Sequence, residues 1–245
     1  MKHLGINKLK KITLLLNVSL LLVASLSANS KAFLEGEKIY EETCVSCHGI
    51  DGETNPKMKL VVKPRKLNQT ILTQEQSFEV IKEGAHHWGA HSDIMPAFKY
   101  VYSDDKIKSV ATYITQKYNL NREKRVKKLL DESDKISKDQ EAKMMKTGAK
   151  IFKRNCSLCH GITGNGESVY VEQSNANNTF IYPYNLQKTL LNEDQIFLYA
   201  KFGGHYWGTE KTDMPSWKKK YNDFKLKSVA KYINEKIKNH DHKNH

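Results

Sequence analysis

The chain has 245 residues and carries 40 Lys and Arg against 27 Asp and Glu, which gives a net charge of +13 at pH 7. Charged residues make up 27% and apolar residues 39% of the sequence, so we expect one or two soluble globular domains and not a disordered chain. The lysines are scattered and no nucleic-acid-binding motif accompanies them, which argues against nucleic acid as a partner.

The first 32 residues have the pattern of a secretory signal peptide. A Lys-containing start is followed by an apolar stretch from Ile12 to Leu26, and small residues continue to Ala32. Cleavage between Ala28 and Ala32 would leave the mature chain outside the cytoplasm, so we predict a periplasmic protein. The apolar stretch is shorter than the about 20 residues of a membrane span. An uncleaved anchor, with peripheral or anchored membrane association, is the alternative.

A Cys-x-x-Cys-His motif occupies residues 44–48, and a second copy occupies residues 156–160. This spacing is the attachment signature of c-type haem. Two thiols three positions apart lie on one side of a helical turn and can reach the two vinyl groups of one porphyrin. The imidazole that follows can then bind the iron as the proximal ligand.

The same cysteines are compatible with a redox dithiol or half of a zinc site, but a His after the second Cys in both copies disfavours these alternatives. The two motifs use all four cysteines, so none is left for a disulfide or a catalytic thiol. We therefore predict two covalently bound haem c groups. The predicted attachment residues are Cys44, Cys47, Cys156 and Cys159, and the predicted proximal iron ligands are His48 and His160.

The chain contains a tandem repeat of one domain-sized unit. Matching residues are 112 positions apart up to the Cys-x-x-Cys-His motif, as Gly36 and Gly148 are, and 119 apart from Pro64 and Pro183 onward. The second copy therefore has seven extra residues, which we place in a surface loop over residues 173–179. The predicted organisation is domain 1 over 33–118, a charged linker over 119–140, domain 2 over 141–238 and a disordered His-rich tail over 239–245.

Each copy predicts three helices and no strand. The first runs into the haem motif, and Gly36 and Gly148 would allow its close packing. The second covers about 73–83 or 192–202, with capping residues at its start and a Gly at its end. The third starts near Ser103 or Asn222 and has apolar residues at helical spacing. We expect the linker to extend the last helix of domain 1 in part.

Met95 and Met214 are the predicted distal iron ligands. Each precedes a Pro at matching positions of the repeat, in a loop ahead of the last helix. A neutral thioether favours ferrous iron and raises the reduction potential. Met58, Met144 and Met145 have no counterpart in the opposite half, which leaves core packing or surface exposure as their expected role.

A second pair of candidates is His86 and His205, nine positions before each Met. Ligation by two His residues would lower the potential. Our hypothesis is that these histidines, or the nearby Trp88 and Trp207, hydrogen-bond a haem propionate or form a wall of the pocket. A packed turn is the alternative.

Both halves resemble class I cytochrome c domains, and the whole resembles the tandem dihaem periplasmic cytochromes c. The shared pattern is Cys-x-x-Cys-His-Gly, a downstream Pro-x-x-Leu, and Met-Pro before a helix ending in Tyr-Ile. The resemblance implies an all-α fold with two domains, each a small helical bundle around one covalent haem. It also implies that each proximal imidazole donates to a Pro carbonyl, with Pro64 and Pro183 as candidates and Pro56 as a competitor.

The predicted function is the transfer of single electrons between respiratory redox partners, since His and Met ligation leaves no open iron position. The protein is then a carrier and not an enzyme, and its lysines would steer it to partners with acidic docking surfaces. One alternative is a dihaem enzyme of the peroxidase or thiosulfate-oxidising type, which needs an open iron position. Another is an electron-transfer subunit of a membrane respiratory complex.

Overall fold

The computed structural model describes residues 29–55, 57, 63–90, 95–177, 183–209 and 214–238. Within these ranges the chain forms helices and turns without a strand, which confirms the all-α fold class. No helix in the described ranges is long and apolar enough to cross a membrane. The predicted tail and the predicted leader up to residue 28 lie outside the described residues.

Domain 1 contains three helices. Helix α1 is helical over 29–39, continues as a π-helical turn and ends as an α-helical turn that contains His48. The turns of α1 are Tyr40–Cys44 and Val45–His48, α2 is Gln74–Glu83, α3 is Asp104–Tyr118, and short 3-10 turns are Leu67–Gln69 and Phe98–Tyr100.

The linker forms a separate helix, α4, over Arg122–Asp131, so the expected extension of the preceding helix is wrong. The backbone leaves the helical conformation at Asn119, whose side-chain amide donates to the Thr70 carbonyl oxygen at 3.2 Å. This bond to a loop of domain 1 fixes the chain reversal at the end of α3.

Domain 2 repeats the three helices and has one more, which the described residues of domain 1 do not form. Its first helix, α5, again passes through a π-helical turn before the Cys-x-x-Cys-His motif. The parts of α5 are Lys138–Ile151, Phe152–Cys156 and Ser157–His160; α6 is Val169–Ala176, α7 is Glu193–Phe202, and α8 is Asp223–Tyr232 followed by Ile233–Ile237. Short 3-10 turns are Leu186–Lys188 and His205–Trp207.

Helix α6 corrects the prediction of a loop in the inserted stretch. The side chain of Ser168 caps α6 by accepting from the backbone N–H of Val171, so the helix includes residues 173–176. Asn and Ser residues in a helix interior lower its stability. The N-cap at Ser168 offsets this, because it satisfies a backbone N–H group in the first turn of α6 that would otherwise have no partner within the helix. The end of the predicted loop, residues 178 and 179, lies outside the described residues.

The middle helices begin where the sequence predicts. Thr73 and Asn192 form capping boxes with Gln76 and Gln195, in which each side chain bonds the other residue's backbone N–H. Both helices end at a glycine with φ of 80°, a backbone conformation that L residues with a Cβ rarely adopt. These local signals set the length of α2 and α7.

The first and last helices of each domain pack closely through a glycine. A Cβ atom on Gly36 would overlap the carbonyl oxygen of Ser109, and one on Gly148 would overlap that of Ser228. The predicted close packing at both glycines is confirmed. It brings the helix that bears the haem motif directly against the C-terminal helix of its domain.

The two domains meet through reciprocal contacts between repeat-equivalent residues. The backbone N–H of Lys66 donates to the Gly208 oxygen at 2.9 Å, and that of Asn185 donates to the Gly89 oxygen at 2.9 Å. Since Lys66 matches Asn185 and Gly89 matches Gly208, each domain presents the same edge to the other. The interface is therefore arranged around an approximate two-fold axis.

Candidate haem sites

The first cysteine of each motif ends the π-helical turn, and the second lies in the α-helical turn that follows it. A π turn adds one residue per turn to an α-helix and is frequent at functional sites. No disulfide joins the four cysteines. Burial, with a smaller contribution from the neighbouring Cys, raises the pKa of Cys44 and of Cys156 to about 12. A redox dithiol needs a lowered thiol pKa, so this environment favours the haem interpretation.

The imidazoles of His48 and His160 are anchored by backbone carbonyls. Nδ1 of His48 lies 3.3 Å from the Arg65 oxygen, and Nδ1 of His160 lies 2.9 Å from the Tyr184 oxygen. Because a carbonyl only accepts, Nδ1 carries the proton and Nε2 has the lone pair needed for a metal. Burial lowers the pKa of both imidazoles against the opposing effect of these bonds, which favours the neutral ligand form.

These acceptors correct the expectation that Pro64 and Pro183 would receive the imidazole bonds. In both domains the carbonyl used belongs to the next residue, Arg65 or Tyr184. In domain 1 the Pro64 oxygen already accepts from the Thr54 hydroxyl at 3.0 Å. The repeat places the loop correctly, but the carbonyl that faces the ring depends on the turn of the backbone.

Met95 and Met214 occupy matching positions behind the glycines that end α2 and α7. The Met95 carbonyl oxygen accepts from the N–H of Ala85 at 3.1 Å, and that of Met214 accepts from Gly204 at 3.1 Å. The side chain of Met95 packs against the core of domain 1. The structure thus holds the two Met-Pro loops to their domains in the same way.

The other candidates belong to packed turns or to the surface. The Trp88 indole N–H donates to the Glu79 oxygen at 3.1 Å, and that of the fully buried Trp207 donates to the Leu198 oxygen at 3.2 Å. These bonds support the packed turn for both tryptophans over a propionate contact. The nearby His86 and His205 are exposed.

Arg65 is a residue of this region that sequence reasoning missed. Its guanidinium donates to the Tyr199 hydroxyl and lies 5.8 Å from the ring centre of Tyr184 and 5.4 Å from that of Tyr199. The backbone oxygens of Arg65 and Tyr184 receive the two proximal imidazoles, so one side-chain contact links both sites. Arg65 and Tyr184 occupy matching positions after Pro64 and Pro183, and this correspondence could have identified both residues from the sequence.

Each domain therefore offers two thiols, an imidazole held at Nδ1 and a thioether on a fixed loop. This donor set fits a covalent haem c. Among the described residues, no group of three or more His, Cys, Asp or Glu side chains could hold a metal ion alone.

The family model described as "Cytochrome C oxidase, cbb3-type, subunit III" matches residues 31–114 and, a second time, residues 143–233. The chain belongs to this cytochrome c family. The predicted resemblance to a tandem cytochrome c and the two-domain helical fold are thereby confirmed. Cytochrome c domains bind haem c covalently and transfer electrons, and the chain has two such domains.

A chain of the Kuenenia stuttgartiensis reducing HAO-like protein complex Kustc0457/Kustc0458 is similar in structure to this cytochrome. The likeness covers 83% of this chain and 96% of that one, with 18% sequence identity and a TM-score of 0.43. Among curated proteins, none matches the chain.

Proposed function

We propose that this cytochrome is a dihaem electron carrier that passes single electrons between respiratory redox partners. Cys44 and Cys47 would attach one haem c, and Cys156 and Cys159 a second. We assign His48 and His160 as proximal ligands and Met95 and Met214 as distal ligands. The N-terminal leader would export the chain to the periplasm.

The observation that carries this proposal is the equivalence of the two His anchors. In both domains an imidazole follows the cysteine pair and is held by the carbonyl of the residue after a matched Pro. A hydrogen bond at Nδ1 fixes the ring and increases the basicity of Nε2. Two sites built in the same way support two haems with the same kind of proximal ligand.

When bound, haem supplies a one-electron couple at its iron. The protein would hold each haem with the imidazole of His48 or His160 and the thioether of Met95 or Met214, which would leave no ligand position for a substrate. Both ligands come from segments tied to the domain by backbone hydrogen bonds, which limits rearrangement between oxidation states. These properties suit transfer of electrons without chemistry on a substrate, as expected of a carrier.

The first test counts covalent haems after expression in a host that attaches c-type haem to exported proteins. We expect the intact chain to retain two haems per chain after denaturation, and Cys44→Ser/Cys47→Ser to retain one. Cys156→Ser/Cys159→Ser is the matched variant in domain 2. Haem that is extracted by acidified acetone would contradict covalent attachment.

The distal ligands need a separate measurement. Met95→Leu and Met214→Leu remove one thioether each at similar volume, so each should convert one haem to a form that binds cyanide or carbon monoxide rapidly. The intact protein should bind neither rapidly at either haem. Rapid binding by the intact protein would show an open iron position and would support the dihaem enzyme instead.

The family match favours a second candidate, an electron-transfer subunit of a membrane respiratory complex. The model that matches both domains describes a subunit of an oxidase. The chemistry at the haems would be the same, but the protein would have a permanent partner. Purification of the tagged protein from its native membranes distinguishes the candidates, because a subunit would keep stoichiometric partners and a carrier would elute alone.

A further inference from the structure

The positive charge of the chain is concentrated in one of its two domains. Domain 1, residues 33–118, carries 11 Lys and Arg against 12 Asp and Glu, whereas domain 2, residues 141–238, carries 16 against 9. Domain 1 therefore has a net charge of −1, and domain 2 has a net charge of +7.

The contrast is largest around the Cys-x-x-Cys-His motifs. Residues 35–53 of domain 1 contain six acidic residues and one Lys, while the equivalent residues 147–165 contain three basic residues and no acidic one. Glu41 and Glu42 of domain 1 stand where domain 2 has Lys153 and Arg154, and all four are exposed. They lie in the π-helical turns that lead into the motifs, so the register is the same.

An apolar surface adjoins these basic residues in domain 2. Leu158, between the two cysteines, is 58% exposed, whereas domain 1 has Ser46 at this position. Helix α6, which has no counterpart among the described residues of domain 1, is joined to this turn because the Ser168 hydroxyl donates to the Leu158 oxygen at 2.5 Å. The next two residues, Val169 and Tyr170, are also exposed.

We infer that domain 2 is the side of the molecule that docks an acidic redox partner. The domain 2 docking surface has a basic rim and an apolar centre beside the cysteines, and consists of Lys150, Lys153, Arg154, Leu158, Val169 and Tyr170. Docking interfaces commonly combine a polar rim with an apolar centre, and charge complementarity sets the rate and orientation of encounter. This inference rests on the proposed function.

Domain 1 does not serve the same partner. Its equivalent turn would bring Glu41 and Glu42 against the acidic surface, and like charges across an interface are unfavourable. It also has Ser46 in place of the apolar Leu158, and its described residues form no counterpart of α6. An acidic partner thus exchanges electrons with the haem of domain 2 first, and the haem of domain 1 is reached through the protein.

The test uses flavodoxin hydroquinone, an acidic protein that gives up one electron, as the probe. Each event converts one hydroquinone to the semiquinone and one ferric haem to ferrous haem, and stopped-flow absorbance follows both. We expect Lys153→Glu/Arg154→Glu to lower the second-order rate constant about tenfold at low ionic strength. The effect should vanish in about 1 M salt, where the Debye length is about 3 Å.

Two charge variants serve as controls. Lys127→Glu/Lys128→Glu on the exposed face of α4 changes the net charge by the same amount, and Glu41→Lys/Glu42→Lys reverses the charge of domain 1. The first should have little effect, and the second should not slow the reaction. Equal slowing by the α4 variant would overturn the inference, because net charge alone would then explain the rates. So would an unchanged rate in Lys153→Glu/Arg154→Glu.

Haem content separates this inference from the proposed function. All variants replace exposed side chains, so each should keep two covalent haems and a helical circular dichroism spectrum. Loss of haem binding in the intact chain would contradict the proposed function itself. Two intact haems with equal rates in all variants would leave the carrier function standing and remove the docking assignment.

Discussion

Arg65 shows how a single residue can connect two redox sites. Its backbone oxygen receives the His48 imidazole, while its guanidinium lies against two tyrosines of domain 2. One of them, Tyr184, receives the His160 imidazole on its own backbone oxygen. Both imidazoles therefore depend on loops that one half-buried cation holds together.

Removal of the charge of Arg65 should lower both reduction potentials. A nearby cation stabilises the ferrous state, which is the less positive one, so Arg65→Met should shift the potentials down by on the order of tens of millivolts. Arg65→Lys keeps the charge and should leave them closer to the original values. Potentiometric titration of the intact protein and both variants measures these shifts. Potentials in Arg65→Met equal to those of the intact protein would show that Arg65 is only structural.

At the scale of the helices, the crossing of the first and last helix defines each domain. The glycines at these crossings leave no room for a Cβ atom, because the opposing atoms are backbone carbonyls. A side chain could swing aside, but a carbonyl in the middle of a helix cannot move without disturbing the helix. The helix that bears the Cys-x-x-Cys-His motif is therefore held at a fixed distance from the last helix of its domain.

Gly148→Ala should destabilise domain 2 although Ala is the better helix former. Overpacking of a close contact costs about 1–3 kcal/mol, which exceeds the gain of about 1 kcal/mol in helix propensity. Lys146→Ala, on the exposed face of the same helix, should have little effect. Thermal unfolding followed by circular dichroism compares them. An unfolding temperature in Gly148→Ala at or above that of Lys146→Ala would contradict the close packing.

The local features of these helices were predictable, and the contacts between distant segments were not. Thr73, Asn192 and the glycines that end α2 and α7 act within a few residues, so the sequence alone reveals them. The linker helix α4 is different, because its side chains bond to backbone atoms. Arg122 donates to the Ile71 oxygen and Arg125 to the Thr70 oxygen. Backbone carbonyls have no sequence signature.

The same limit applies to the candidate sites. The motif and the repeat predict the thiols, imidazoles and thioethers of each site from residue type and spacing, and their role in holding haem stays a prediction. The carbonyls of Arg65 and Tyr184, by contrast, depend on the path of the loop. The packing of α4 on domain 2, where Arg125 lies 5.4 Å from the Trp207 ring centre, also required the three-dimensional arrangement.

At the scale of the whole molecule, a pair of side-chain amides joins the two domains. The side chains of Gln76 and Gln195 donate to each other at 2.8 and 2.7 Å. Each amide also bonds a backbone oxygen of the other domain, Leu190 for Gln76 and Ile71 for Gln195. Gln195 is only 1% exposed, so these bonds form away from water, where an unmet partner is costly.

Gln195→Glu should destabilise the protein in a pH-dependent way, because it weakens the contact between the domains. The variant keeps the capping oxygen but loses a donor and places a carboxyl in a buried site, where its pKa rises above the unfolded value of about 4.3. Below about pH 4.3 the carboxyl is protonated in both the folded and the unfolded state and is tolerated. The free energy of unfolding then falls as the pH rises through the raised pKa. A rise of about 1.5 units would correspond to about 2 kcal/mol at pH 7.

The matched control is Gln140→Glu. Gln140 has the same capping-box role at the start of α5, where its side chain accepts from the backbone N–H of Ser137. We expect the difference in stability between Gln140→Glu and the intact protein to change little with pH. Chemical denaturation at several pH values measures both variants, and parallel pH profiles would show that the amide pair does not stabilise the interface.

The contact between Gln76 and Gln195 also bears on the origin of the chain. A residue that meets its own counterpart is what a two-fold axis produces between two identical subunits. A single-domain ancestor with this Gln would form the same interface as a homodimer, before duplication joined the two copies and α4 bridged them. Fusion then allowed each half to change alone, which identical subunits cannot do. The unequal charge of the two domains is a difference of this kind.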